Sequence, residues 1–192
     1  MLRRCYLFRI ICMITDSSSG GLGIRLGYPK REINLYQAGR SGMSDQFIKD
    51  FCKLLDIDER VFFEIESQAS LNHYTYQEIL RIVLKRFDDI EISIEANSIT
   101  SKCLRATRMV AGYDEPMFAR KCKISQQTIN KVEGGVEGIS QKTVQIYANS
   151  IGMTSFDLLD FIEWAKENEP SDREIISNLT NISVKLHKLV AN

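Results

Sequence analysis

The sequence predicts an all-α protein built as two tandem five-helix domains, and three observations carry that reading. Apolar residues recur at three- and four-residue spacing, behind serine or aspartate starts and ahead of glycine stops, which is the pattern of capped amphipathic helices. Sliding the chain over itself by 96 residues, without a gap, lays Ile33, Asn34, Gly39, Gly42 and Ser44 on Ile129, Asn130, Gly135, Gly138 and Ser140. The composition is that of an ordinary globular chain, 44% hydrophobic and 26% charged.

The register of the repeat is long. Ile48 meets Val144, Phe51 meets Tyr147, Leu55 meets Ile151, and Phe62 and Phe63 meet Leu158 and Leu159. Upstream, Arg9 meets Arg105, Met13 meets Met109, Leu22 meets Phe118 and Gly23 meets Ala119. A fixed offset that keeps small residues, glycines and apolar sites together marks a tandem duplication. The expected domains are residues 1–67 and 99–167, with a connector at 68–98 and a C-terminal helix at 168–192.

In chain order, the first copy carries a second helix from Ser19 to Leu26, softened by Gly20, Gly21 and Gly23. Its third helix begins at Pro29, acceptable in a first turn because the missing amide has no partner there. Ser44 to Leu55 and Asp58 to about Ser67 follow as fourth and fifth helices. In the connector, Thr75 to Phe87 carries a helical apolar stripe through Ile79, Leu80, Ile82, Val83 and Phe87. Asp89 to Ala96 alternates Ile90, Ile92 and Ile94 with acids, which favours a short strand able to pair in a dimer.

The second copy holds the most informative stretch, Ile124 to Gly135. Ser125 caps a helix, Ile129 and Val132 share its inner face, and Gly134 with Gly135 ends it. Ser140 to Ile151 and Ser155 to about Glu167 repeat the fourth and fifth helices. The last helix, Arg173 to Val190, spaces Ile176, Leu179, Ile182, Leu186 and Leu189 along one face. That stripe packs either on the chain's own core or on a second copy.

Leu104, Arg105, Arg108, Gly112, Tyr113, Phe118-Ala119-Arg120-Lys121 and Ile124-Ser125, followed by Ile129-Asn130 and Glu133, keep a characteristic order and spacing. Over about sixty residues this resembles the helix-turn-helix of lambda-repressor-like (XRE family) proteins. The first copy resembles it too, with Gly27 at the turn where the second copy has Lys123. Asp114-Glu115 replaces the family's Thr/Ser-Gln, an acid pair that caps a helix but repels DNA.

The resemblance implies that the third helix of each copy enters the major groove. In the first copy it exposes Lys30, Arg31 and Asn34, with Arg40 in the following loop. In the second it exposes Gln126, Gln127, Asn130 and Lys131 behind Ser125. Glutamine suits adenine N6/N7, and lysine or arginine suits guanine O6/N7. Arg40, Ser125 and Lys131 would position the chain through phosphates. Arg105 and Arg108 either join them or pair with Glu133.

Net charge is zero, yet locally it is not. Residues 1–50 carry 8 Lys/Arg against 4 Asp/Glu, and residues 99–138 carry 7 against 4. Residues 51–98 and 139–192 are net acidic, with 5 against 10 and 5 against 7. The basic blocks coincide with the two reading stretches.

Cys5, Cys12, Cys52, Cys103 and Cys122 include no C-x-x-C pair, and most fall at apolar helical positions, as expected of a reduced, cytoplasmic protein. The opening run to Met13 is broken by Arg9 and has no cleavage site, so it does not read as a leader. No membrane span is expected. His73 and His187 stand outside any motif, and no P-loop, G-x-S-x-G or zinc spacing occurs, so neither an enzyme nor a cofactor or metal is expected. The expected function is a DNA-binding transcription regulator, with double-stranded DNA and a second copy of the chain as partners. The alternative is an antitoxin-like protein-interaction module in which DNA contact is secondary.

Overall fold

The computed structural model describes residues 2–136 and 139–190, so Gly138 of the repeat register lies outside the described residues. Among them the chain forms α-helices and no strand. It divides into two compact units, Met1–Glu91 and Ile92–Asn192.

The first unit contains α1 (Leu2–Ile14), α2 (Ser19–Leu26), α3 (Lys30–Gln37), α4 (Asp45–Leu54), α5 (Glu59–Leu71) and α6 (Tyr76–Arg86). The second contains α7 (Ile99–Val110), α8 (Glu115–Cys122), α9 (Gln126–Glu133), α10 (Gln141–Ser150), α11 (Ser155–Asn168) and α12 (Asp172–Val190). The first residues of α2 to α6 and of α8 to α12 all stand 96 positions apart. The duplication therefore spans six helices per unit, not five.

Local chemistry explains the common boundaries. Ser18, Ser44, Ser125 and Ser140 each accept from a backbone N–H three residues on, and so satisfy one orphan donor of the helix that follows. Thr75 with Glu78 and Ser171 with Glu174 close reciprocal capping boxes at the starts of α6 and α12. These two boxes are 96 residues apart as well.

In the first unit α1 is the hub, packing on α3, α5 and α6. Leu7, Phe8, Ile10, Ile11 and Ile14 are buried, and Phe8 meets Phe51 edge-on at 4.7 Å. Arg4 fastens this hub to its surroundings, with both Glu66 oxygens at 2.7 and 2.9 Å, Asp45 at 2.7 Å and the Met43 carbonyl at 2.9 Å. In the second unit α7 takes the same role against α9, α10, α11 and α12.

Two expectations from the sequence change, and one left open is resolved in part. The connector at 68–98 does not exist as such: its first residues finish α5, and its helix is α6, which lies on α1 and α5. Residues 89–96 form no strand, because an all-helical unit offers no sheet edge. Ile94 is buried instead, and its N–H donates to the Asp172 carboxylate at 2.6 Å. Of the stripe of the last helix, Ile176 and Leu179 are buried where α12 packs on α7, Ile182 and Leu186 are half-buried, and Leu189 is 75% exposed.

Candidate nucleic-acid interface

Each unit holds a short helix, a tight turn and a second short helix, the second lying against the hub. In the first unit Gly27 makes the turn at φ 74°, its N–H bonded to the Gly23 carbonyl. The Tyr28 N–H bonds the same carbonyl at 2.8 Å. The approach is so close that a Cβ on Gly23 would lie 2.5 Å from the Tyr28 oxygen. In the second unit Lys123 adopts the same left-handed conformation at φ 54° and bonds Ala119 in the same way. The turn is thus kept without glycine, at a conformational cost of about 1–2 kcal/mol.

The helix after the turn buries one side only. In α3, Ile33 and Tyr36 face the core, while Lys30, Arg31 and Asn34 are exposed along the opposite arc. Glu32 is occupied by the Tyr36 hydroxyl. Arg40 is exposed just past the helix. All four expected residues of the first copy are therefore exposed, as is Arg25 at the end of α2.

In α9, Ile129 and Val132 are buried, and Gln126, Gln127 and Asn130 are exposed, with Lys131 half-buried. Ser125 is committed to the cap: it accepts from the Thr128 N–H at 3.0 Å and its hydroxyl meets the Thr128 hydroxyl at 2.8 Å. Gln126 and Asn130 are not bare. Gln126 Nε2 reaches Glu115 Oε2 at 3.4 Å. With its amide turned so that both ends find complementary partners, Asn130 donates to the same oxygen at 3.0 Å.

Behind this surface lies a buried ionic network. Arg108 donates from Nε and NH2 to the two Glu133 oxygens at 2.7 Å each, and from NH1 to the Tyr113 carbonyl at 2.9 Å. Tyr147 donates to Glu133 at 2.9 Å. Both charged residues are buried, Arg108 being 5% exposed and Glu133 4%. Burial and the adjoining Glu133 carboxylate push the Tyr147 phenol well above its ordinary range. The first unit solves the same position without charge, with Cys12, Gln37 and Phe51 in place of Arg108, Glu133 and Tyr147. Ser19 there donates to Gln37 at 2.9 Å.

Arg108 is accordingly a structural residue and not a phosphate ligand. Arg105 donates to the Glu95 carbonyl at 2.8 Å. The structure adds Arg120, Lys121 and Lys123, which are exposed on the end of α8 and the turn. Their signal in the sequence is a basic last turn ahead of a capped helix. Asp114-Glu115 is visible in the sequence as an acid pair, but the contact of Glu115 with α9 crosses eleven residues and leaves no local pattern.

Among the described residues no group of three His, Cys, Asp or Glu side chains could hold a metal ion. No helix among them is long and apolar enough to cross a membrane. Comparison with family models, characterised proteins and solved structures finds no match to the chain.

Proposed function

We propose that the chain is a sequence-specific, double-stranded-DNA-binding transcription regulator of the lambda-repressor-like kind, acting in the cytoplasm and reading the major groove with α3 and α9. One observation carries this reading. In both units the second helix of a tight helix pair buries one apolar edge and turns long polar donors outward, at positions 96 residues apart. A helix of this size, held by its back, fits the major groove, and its exposed donors match base edges and phosphates. The sets differ, Lys30, Arg31 and Asn34 against Gln126, Gln127 and Asn130, so one chain would read two unlike half-sites.

A protein-interaction module is the second reading. It is favoured by α11, where Phe156 is 73% exposed and Trp164 37% exposed beside Asp160, Glu163 and Glu167.

The two are separated by a salt titration of binding to random duplex DNA, with selection of the bound fraction. A regulator gives a steep dependence of affinity on salt and an enriched motif. Arg31→Ala and Gln127→Ala each weaken binding to that motif and leave folding intact, because both side chains lie outside the apolar faces. A flat salt response without enrichment would overturn the DNA reading in favour of a protein partner.

A further inference from the structure

We infer that Glu115 governs how the second unit meets DNA: its carboxylate engages Gln126 and Asn130 and turns phosphate away, leaving α3 as the principal reader of the chain. This rests on the DNA-binding reading proposed above, and it goes further by giving the two units unequal roles.

The geometry places one carboxylate oxygen against two of the three exposed amides of α9, at 3.4 Å from Gln126 and 3.0 Å from Asn130. Bidentate recognition of adenine needs both the donor and the acceptor of a side-chain amide. A hydrogen bond to a carboxylate is stronger than one between neutral groups, so the 3.0 Å Asn130 contact competes with a base edge, while the 3.4 Å Gln126 contact is long and weaker. Gln127 is the remaining amide of the set.

Arg108 does not cancel the charge of Glu115. The nearest cation is Arg108, whose NH2 lies 3.8 Å away. That guanidinium is already spanned by Glu133, so the three groups together retain one negative charge. An approaching phosphate meets that charge at the face it must cross.

The duplication supplies an internal comparison. The residue at the same place in the first unit is Ser19, neutral and turned toward Gln37. The α3 face carries two cations, Lys30 and Arg31, and its single acid, Glu32, is held by Tyr36. Both units carry cations near the reading helix, with Lys131 on α9 and Arg120, Lys121 and Lys123 on the end of α8 and the turn, and the difference between them is the carboxylate held against α9.

The test uses the full chain and the duplex selected by the wild-type protein. Glu115→Ser copies the first unit, and Glu115→Gln removes the charge alone. Both are expected to bind about tenfold more tightly at low salt, with a steeper plot of log K against log salt, because the repulsion they remove is itself screened by salt. Arg31→Ala is expected to weaken wild-type binding far more than Gln127→Ala does. The inference is overturned if the wild-type protein binds DNA while both Glu115 variants, melting at the wild-type temperature, show unchanged or weaker binding with an unchanged slope. Should Glu115→Ser unfold through its proximity to Arg108, Glu115→Gln decides the matter. If neither the wild-type protein nor either variant binds any duplex, the DNA-binding reading itself fails and this inference falls with it.

Discussion

Gly27 and Lys123 stand at the same point of the two units, and both hold a left-handed backbone, at φ 74° and 54°. Only the lysine has a Cβ to accommodate there. Lys123→Gly is expected to stabilise the second unit by about 0.5–1 kcal/mol, the relief of the left-handed strain being partly offset by the freer unfolded chain. The measurement is urea unfolding followed by Trp164 fluorescence. Trp164 is the only tryptophan and lies on α11, so it reports on the second unit.

Gly23 admits no side chain. A Cβ placed 2.5 Å from the Tyr28 carbonyl meets backbone that cannot rotate away. Gly23→Ala should separate α2 from α3 and cost about 1–3 kcal/mol in the first unit. Faster hydrogen exchange confined to residues 19–37, with α8 and α9 unchanged, is the expected result.

Arg108→Met strands the Glu133 carboxylate in the core, which typically costs about 3–5 kcal/mol. The first unit shows the remedy. Combining Arg108→Cys, Glu133→Gln and Tyr147→Phe installs the neutral arrangement and is expected to recover most of that loss in the same fluorescence assay.

Removal of residues 172–190 strips α12 from α7 and exposes a face normally covered by Ile175, Ile176 and Leu179. The expected outcome is loss of cooperative unfolding in the second unit, read by circular dichroism and Trp164 fluorescence. Sedimentation showing a folded monomer in place of a wild-type dimer would instead assign α12 to an interface between chains.

Burial pushes the Cys12, Cys52 and Cys103 thiols from 9.0 up to about 12. An acid whose folded value is raised stabilises the fold fully below the unfolded value, and that contribution is lost as pH rises through the folded one. Stability should therefore decline between about pH 9 and pH 12, as urea midpoints across that range would record. In native protein near pH 8, alkylation should reach half-buried Cys122 first, and Cys5, Cys12, Cys52 and Cys103 only on unfolding.

Much of this was legible in the sequence, and the reasons are local. Serine caps, glycine stops and apolar spacing located the second, third and fourth helices of each unit, because those signals act within four residues. The exposed sets on α3 and α9 followed from the same periodicity. What escaped is that the helix at Thr75–Phe87 and the last helix are the sixth members of their units. Periodicity marked both Ile79-Leu80-Val83 and Ile176-Leu179-Ile182 as buried stripes, but a stripe does not name the surface that covers it. The register of the repeat did, since Thr75-x-x-Glu78 and Ser171-x-x-Glu174 share the 96-residue offset. The isoleucine alternation at 90–94 misled because period two describes a strand only where a sheet edge is at hand. Glu115 over α9 was beyond reach for a different reason: it depends on how two helices cross.

Two copies of one fold in a single chain carry a hazard during folding, since a helix of one copy has in the other a ready substitute for its proper partner. The contrast between the neutral and the ionic cores bears directly on that hazard. A hybrid that set α7 against α3 would bury Arg108 opposite Gln37, with no carboxylate to receive it. The converse hybrid would leave Glu133 facing Cys12. Each mismatch carries the penalty of an uncompensated buried charge, about 3–5 kcal/mol, a large share of the stability of a unit this size. Divergence at three core positions thus acts as a key that keeps each half of the nascent chain loyal to itself.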